Sequence, residues 1–116
     1  MYRSLTSFAV VSLSACLLPV VVFAGPNEDP IAMPDVYFVK KNGLLELGAA
    51  GGVLANDFDA DGDPLSVSDS TDPKHGTLSE FLADGSFEYR PDTDFTGIDQ
   101  FTYQATDGTA VSPFVN

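Results

Sequence analysis

The residues best placed to do chemistry lie in one short stretch, Asn56-Asp57-Phe58-Asp59-Ala60-Asp61-Gly62-Asp63-Pro64. Four aspartates occupy alternate positions. Alternation by itself suggests a strand, but aspartate is depleted in strands and the Gly62 and Pro64 that follow break them, so the stretch reads as a loop. Carboxylates about 4 Å apart repel by ~1 kcal/mol in water and by ~4 kcal/mol at an effective dielectric of ~20. A loop that gathers four of them is suited to a hard cation. Calcium tolerates irregular, flexible loops of carboxylate and carbonyl oxygens better than magnesium does. The expected metal ligands are therefore Asp57, Asp59, Asp61 and Asp63, and the expected cofactor is Ca2+. The alternative is a solvated acidic turn between two strands.

The spacing Asp57-x-Asp59-x-Asp61-Gly62 opens like a helix–loop–helix calcium site. The rest of that site is missing. Its twelfth position falls on Ser68, which has no carboxylate to chelate with, and no helical pattern flanks the loop.

Elements able to position such a loop are short strands. Asp35–Lys40 is rich in β-formers and is expected to pair as a hairpin with Leu44–Leu47 across Asn42-Gly43. Leu65–Ser68 alternates. Gly76–Leu82 and Ser86–Arg90 flank Ala83-Asp84-Gly85, the clearest local hairpin signal, with Phe87 and Tyr89 on one face. Asp99–Ala105 puts Phe101, Tyr103 and Ala105 on one face, and Phe95 is expected to plug the loop before it. Thr109–Asn116 supplies a final strand that is short and interrupted by Pro113. Gly48–Gly52 is glycine-rich, but no helix follows to present its N-terminus to a phosphate. Strands and turns recurring about every ten residues, with no helical period after Gly25, predict an all-β sandwich or small barrel.

The chain has 116 residues, room for one domain, with 17 acidic residues against five basic ones and a net charge of −12. That balance argues against nucleic acid and anionic membrane surfaces as partners. Arg3 followed by the apolar run Leu5–Ala24 and the polar Gly25-Pro26-Asn27-Glu28-Asp29 reads as a secretory signal peptide over residues 1–24, cleaved after Ala24. Residues 25–34 then form a linker and 35–116 the domain. The protein is expected outside the cell, with no membrane span after cleavage. A second reading takes Leu13-Ser14-Ala15-Cys16 as a lipoprotein signal with Cys16 acylated, although the apolar Leu17–Ala24 that follows is unlike a lipoprotein. Cleavage after Ala24 leaves 92 residues and no cysteine.

Gly52-Val53-Leu54-Ala55-Asn56-Asp57 and Asp59-Ala60-Asp61-Gly62-Asp63-Pro64-Leu65 resemble the bacterial cadherin-like and Ig-like repeats of large secreted adhesins, including the VCBS-type and RTX-adhesin-type repeats. The resemblance continues through His75-Gly76-Thr77-Leu78, Ala83–Tyr89, Phe95-Thr96-Gly97 and Asp99–Tyr103, and spans about Pro34 to Gly108. It implies a Greek-key sandwich, commonly one unit of a tandem array stiffened by calcium, with Asp57, Asp59, Asp61 and Asp63 as ligands and Asn56 as a weaker candidate. The chain departs from the pattern in carrying one copy, in an extra residue between Leu78 and Asp84 that a bulge would absorb, and in its shortened final strand, which fits a fragment of a longer tandem-repeat surface protein, a truncated gene or, if the chain is complete, an open sheet edge. The function expected is a non-enzymatic structural or adhesive module whose partners are calcium and another β-rich domain or a cell-surface ligand.

Catalysis has little support. His75 is the single histidine, no Gly-x-Ser-x-Gly elbow is present, and the mature chain lacks a cysteine nucleophile. Paired carboxylates of the kind that hydrolyse glycosides are compatible with so acidic a chain, but 92 residues leave little room for a cleft between them. The competing function is an accessory module that binds carbohydrate or a protein ligand. Carbohydrate binding requires exposed aromatics such as Tyr37 and Tyr103.

Overall fold

The computed structural model describes residues 25–116, together with the backbone of Phe8–Val10 (β1) and Val21–Phe23 (β2), which pair antiparallel with Phe8 opposite Phe23. The expected signal peptidase site at Ala24 and the candidate acylation site at Cys16 lie outside the described residues. Among the described residues, no helix is long and apolar enough to cross a membrane.

Two antiparallel sheets carry the domain. In one, β6 (Phe87–Pro91) lies between β3 (Leu45–Leu47) and β5 (Gly76–Ser79); in the other, β4 (Ser66–Ser70) pairs with β7 (Tyr103–Thr106). Apart from one 3-10 turn at Ala49–Gly51, the described chain is strand, turn and extended segment. The fold is an all-β sandwich, one of the two architectures that the strand spacing predicts and the one that the resemblance implies.

The β5–β6 hairpin forms with Gly76 opposite Pro91 and Ser79 opposite Glu88. Its turn places Gly85 at φ 86°, a conformation that glycine adopts at no steric cost. The irregularity expected between Leu78 and Asp84 falls at Glu80, at φ 51°, where β5 ends. The bulge in the ladders is elsewhere, between Val67 and Asp69 of β4.

The first expected hairpin is corrected. Residues 35–40 keep strand-like alternation, with Asp35, Tyr37 and Val39 half-buried and their neighbours exposed, yet they join no ladder. β3 pairs with β6 instead, setting Leu45 opposite Tyr89 and Leu47 opposite Phe87. Cross-strand apolar pairs facing the core outweigh a local partner whose turn, with Asn42 at φ 58°, carries a single Gly43 N–H to Lys40 carbonyl bond of 2.8 Å. The final segment does pair with β7, through bridges Thr106–Val111 and Tyr103–Val115 on either side of Pro113.

Between the sheets, Phe87 is fully buried and meets three rings edge-on: Tyr37 at 5.2 Å, Phe101 at 5.5 Å and Phe81 at 6.1 Å between centroids. Val53, Tyr103 and Ala105 complete the buried core. Phe95 is half-buried and stacks on the exposed His75 at 4.6 Å. The Phe87→Ala variant is expected to lose about 3–5 kcal/mol. That is a large share of the stability of a small domain, and a urea-unfolding midpoint reads it. A loss below about 1 kcal/mol would place the core elsewhere.

Candidate metal centre

The acidic loop enters from the turn at Val53–Asn56 and leaves into β4. Two contacts pin its first part. Val53 N–H donates to the Gly85 carbonyl at 3.0 Å, so the loop starts against the β5–β6 turn. There Gly52 packs so closely on Gly85 that a Cβ at position 52 would collide with its carbonyl. Phe58 exchanges two backbone bonds with Ile31, at 2.8 and 3.0 Å.

The stretch expected to be a linker lies along this loop. Glu28 N–H donates to Asp61 Oδ2 at 2.7 Å, Met33 N–H to Asp57 Oδ1 at 2.8 Å, and the Asn56 side chain to the Pro34 carbonyl at 3.2 Å. Pro30 is buried. Farther along, Asn27 Nδ2 donates to Asp107 at 2.7 Å.

The four candidate aspartates divide into three and one. Asp59, Asp61 and Asp63 each bring a carboxylate oxygen to within 4.8 Å of the others. Asp57 lies outside that group. Its carboxylate accepts from Met33 N–H and sits 3.0 Å, through either oxygen, from the Tyr103 hydroxyl. Burial raises its pKa above the ordinary carboxylate value, while the Met33 and Tyr103 donors pull it back.

Asp59 is the organising residue of the trio. It is only 7% exposed. Its Oδ1 accepts the N–H groups of Asp61 at 2.9 Å and Asp63 at 3.0 Å, which curls the backbone so that all three side chains converge. Gly62 supplies the positive φ, 80°, that this curl requires. The second oxygen, Oδ2, is buried and has no hydrogen-bond partner among the described residues. A buried carboxylate oxygen without a donor is costly, and a bound cation would satisfy it. The donor set suits a hard, oxygen-seeking ion. Three carboxylates leave positions for carbonyls and water in the six to eight sites that calcium uses.

Two residues near the loop gave no sequence signal for the roles they take here. Asp35, read as the head of a strand, lies with Asp57 around Tyr103. Burial and then the Asp57 charge push its pKa up to about 6. Tyr103, read as core, is 1% exposed, yet its hydroxyl approaches the Val53 carbonyl at 2.8 Å, Asp57 at 3.0 Å, the Met33 carbonyl at 3.3 Å and Asp35 at 3.4 Å. Burial and the Asp57 charge raise its pKa further above the phenol value. The buried Tyr103 is not available as a carbohydrate platform, and Tyr37 stands edge-on to Phe87.

The family profile of the bacterial cadherin-like domain matches residues 27–113, three-quarters of the chain. The chain belongs to this family. The match begins at Asn27, so it includes the stretch docked against the acidic loop. No curated protein and no solved structure matches the chain. Cadherin-like domains are generally non-enzymatic structural or adhesive modules, typically extracellular, and they commonly bind calcium.

The Asp35 environment carries a pH signature. A carboxyl with a raised pKa holds its proton more tightly in the folded domain than in the unfolded chain. Between about pH 4 and 6 the folded state therefore binds more protons, and stability falls as pH rises through that window. Other aspartates have lowered pKa values and slope the opposite way, among them Asp84, Asp94 and Asp107. The diagnostic quantity is thus the difference between Asp35→Asn and the parent, measured by denaturant unfolding in chelator. It is expected to shift in favour of the variant as pH rises from 4 to 7. A pH-independent difference would contradict this reading.

Proposed function

We propose that the chain is a non-enzymatic extracellular structural or adhesive module stiffened by calcium bound at Asp59, Asp61 and Asp63. The observation that carries this reading is the buried Asp59 Oδ2, unpartnered among the described residues, beside two further carboxylates within 4.8 Å. Asp57 has a supporting role in this reading: anchored by Tyr103 and Met33, it fixes where the loop begins. The ion would link the docked stretch at 27–34, the loop and the start of β4, because Asp61 also accepts the Glu28 N–H. In a surface protein built from tandem units, such a link sets the angle at which the chain enters the domain. The secretory reading of residues 1–24 completes the proposal, and N-terminal sequencing of the exported protein is expected to begin at Gly25. A blocked, acylated Cys16 would replace it with a lipoprotein.

Thermal unfolding with and without calcium tests the cation. Binding at a hundredfold excess over Kd stabilises by ~2.7 kcal/mol. In a domain of this size that corresponds to a rise in midpoint of roughly 10 °C or more. The Asp59→Asn variant is expected to lose the calcium response. In excess chelator it is expected to be no less stable than the parent, since the substitution keeps an acceptor at the turn and removes an uncompensated charge. No calcium response in the parent, or an equal response in the variant, would sink the proposal.

A further inference from the structure

Strand β5 forms one edge of its sheet. The sheet runs β3–β6–β5, and among the described residues nothing pairs with the outer side of Gly76–Ser79. The ladder fixes which backbone groups face outward. Asp92 N–H donates to the His75 carbonyl at 2.9 Å, one step beyond the Gly76–Pro91 pair. Hydrogen-bonded and non-bonded pairs alternate in an antiparallel ladder, so the bonded pairs are Thr77–Arg90 and Ser79–Glu88. Pro91, which has no N–H, falls on a non-bonded pair, as this phase requires. The N–H and C=O groups of Gly76 and Leu78 therefore point away from β6. A cleft of about 290 Å³, lined by Asp72, Pro73, Gly76, Thr77 and Leu78, borders them.

This edge is complementary to itself. A two-fold axis through Thr77 sets Gly76 of each copy opposite Leu78 of the other. The outward N–H and C=O groups of those residues then close main-chain bonds on both sides of the axis. Thr77 faces Thr77 across the axis, a favourable cross-strand pair. The half-buried Leu78 comes opposite a residue with no side chain to crowd it. There the Tyr89 ring lies so close to Gly76 that a Cβ would collide with it. An apolar side chain thus meets an aromatic ring.

The charges select the same register. With the axis at Thr77, Lys74 of each copy comes opposite Glu80 of the other. Both residues are exposed, and neither forms an ion pair among the described residues. An axis at Gly76 would instead set Glu80 against Asp72, two like charges. An axis at Leu78 would set Lys74 against the apolar Leu82. In a chain of net charge −12, the edge carries no acidic residue from Pro73 to Ser79, so the like charge of two copies is kept to its margins. A contact this small belongs to the transient class, and the shared net charge holds it weak.

We propose that β5 is a homophilic edge, through which two copies of this domain pair antiparallel across Thr77 and join their three-stranded sheets into one. Main-chain bonds supply the affinity, and the Lys74–Glu80 pairs fix the register. The contact is isologous, so it closes at two copies. Copies displayed together on a surface would add many such weak contacts. This pairing rests on the adhesive reading above, names a second copy as its partner, and does not involve the cation.

Sedimentation equilibrium of the exported chain tests it. A monomer–dimer equilibrium is expected, with a dissociation constant in the range of about 10 μM to 1 mM. Lys74→Glu and Glu80→Lys should each weaken it about tenfold, because both symmetry-related ion pairs become like-charge pairs. The double variant should restore it. Neither side chain is buried, so the unfolding midpoints should stay at the parent value. In a dilution series followed by NMR, the amide shifts of Gly76 and Leu78 should move more than those of Thr77 and Ser79, whose N–H groups are already bonded to β6. A chain that stays monomeric at about 1 mM would overturn the edge pairing. So would a dimer indifferent to the single variants, a double variant that fails to recover, or amide shifts that move elsewhere. The calcium response of the same samples separates the two claims, since a monomer that still responds to calcium overturns the edge pairing alone.

Discussion

The Tyr103 hydroxyl is the point on which this small sandwich turns. Its ring belongs to the core, and its oxygen reaches the Val53 carbonyl, the Asp57 carboxylate, the Met33 carbonyl and Asp35. One phenolic proton thus stands among acceptors from the stretch that docks on the domain, the turn before the acidic loop and the loop itself. A hydroxyl can donate only one hydrogen bond. Burial pushes up the pKa values of Asp35 and Asp57, the Asp57 charge adds to the rise at Asp35, and the Tyr103 hydroxyl pulls both back. The polar interior is therefore poised: it holds the loop at a defined place at an electrostatic cost.

That placement gives the acidic loop its geometry. With Asp57 held at its start and Phe58 paired to Ile31, the turn that follows is left to Asp59, whose two oxygens have different fates. One satisfies the amides of Asp61 and Asp63. The other is buried with nothing to accept from among the described residues. A chain that only needed a solvated turn could have exposed that carboxylate. Convergence of three carboxylates around a buried, partnerless oxygen is better matched to a cation-filled state. The same ion would join the docked stretch to β4 through Asp61.

Much of this was legible in the sequence. The β5–β6 hairpin followed from glycine at a positive-φ turn between alternating runs, and the inward face of β7 from Tyr103 and Ala105, with Phe101 just before it. The acidic loop followed from aspartates at alternate positions closed by glycine and proline. What could not be read were choices that depend on distant partners. Residues 35–40 have the composition of a strand, yet nothing local says that β3 will pair with β6 and leave them without a ladder. Asp57 and Asp59 share one alternating pattern, but the Tyr103 hydroxyl, 46 residues away in sequence from Asp57, separates their roles. Residues 27–34 look like a linker because prolines and small polar residues carry no periodicity. Their docking rests on backbone amides meeting aspartates 24 and 33 residues further on.

The central claim concerns one oxygen atom, and a crystal structure grown in millimolar calcium, with anomalous scattering data, addresses it most directly. The account predicts an anomalous peak at calcium-bonding distance, about 2.3–2.6 Å, from Asp59 Oδ2, with Asp61 and Asp63 contributing further oxygens. Density showing Asp59 Oδ2 hydrogen-bonded to water or to a protein donor, with no ion near the three carboxylates, would contradict it.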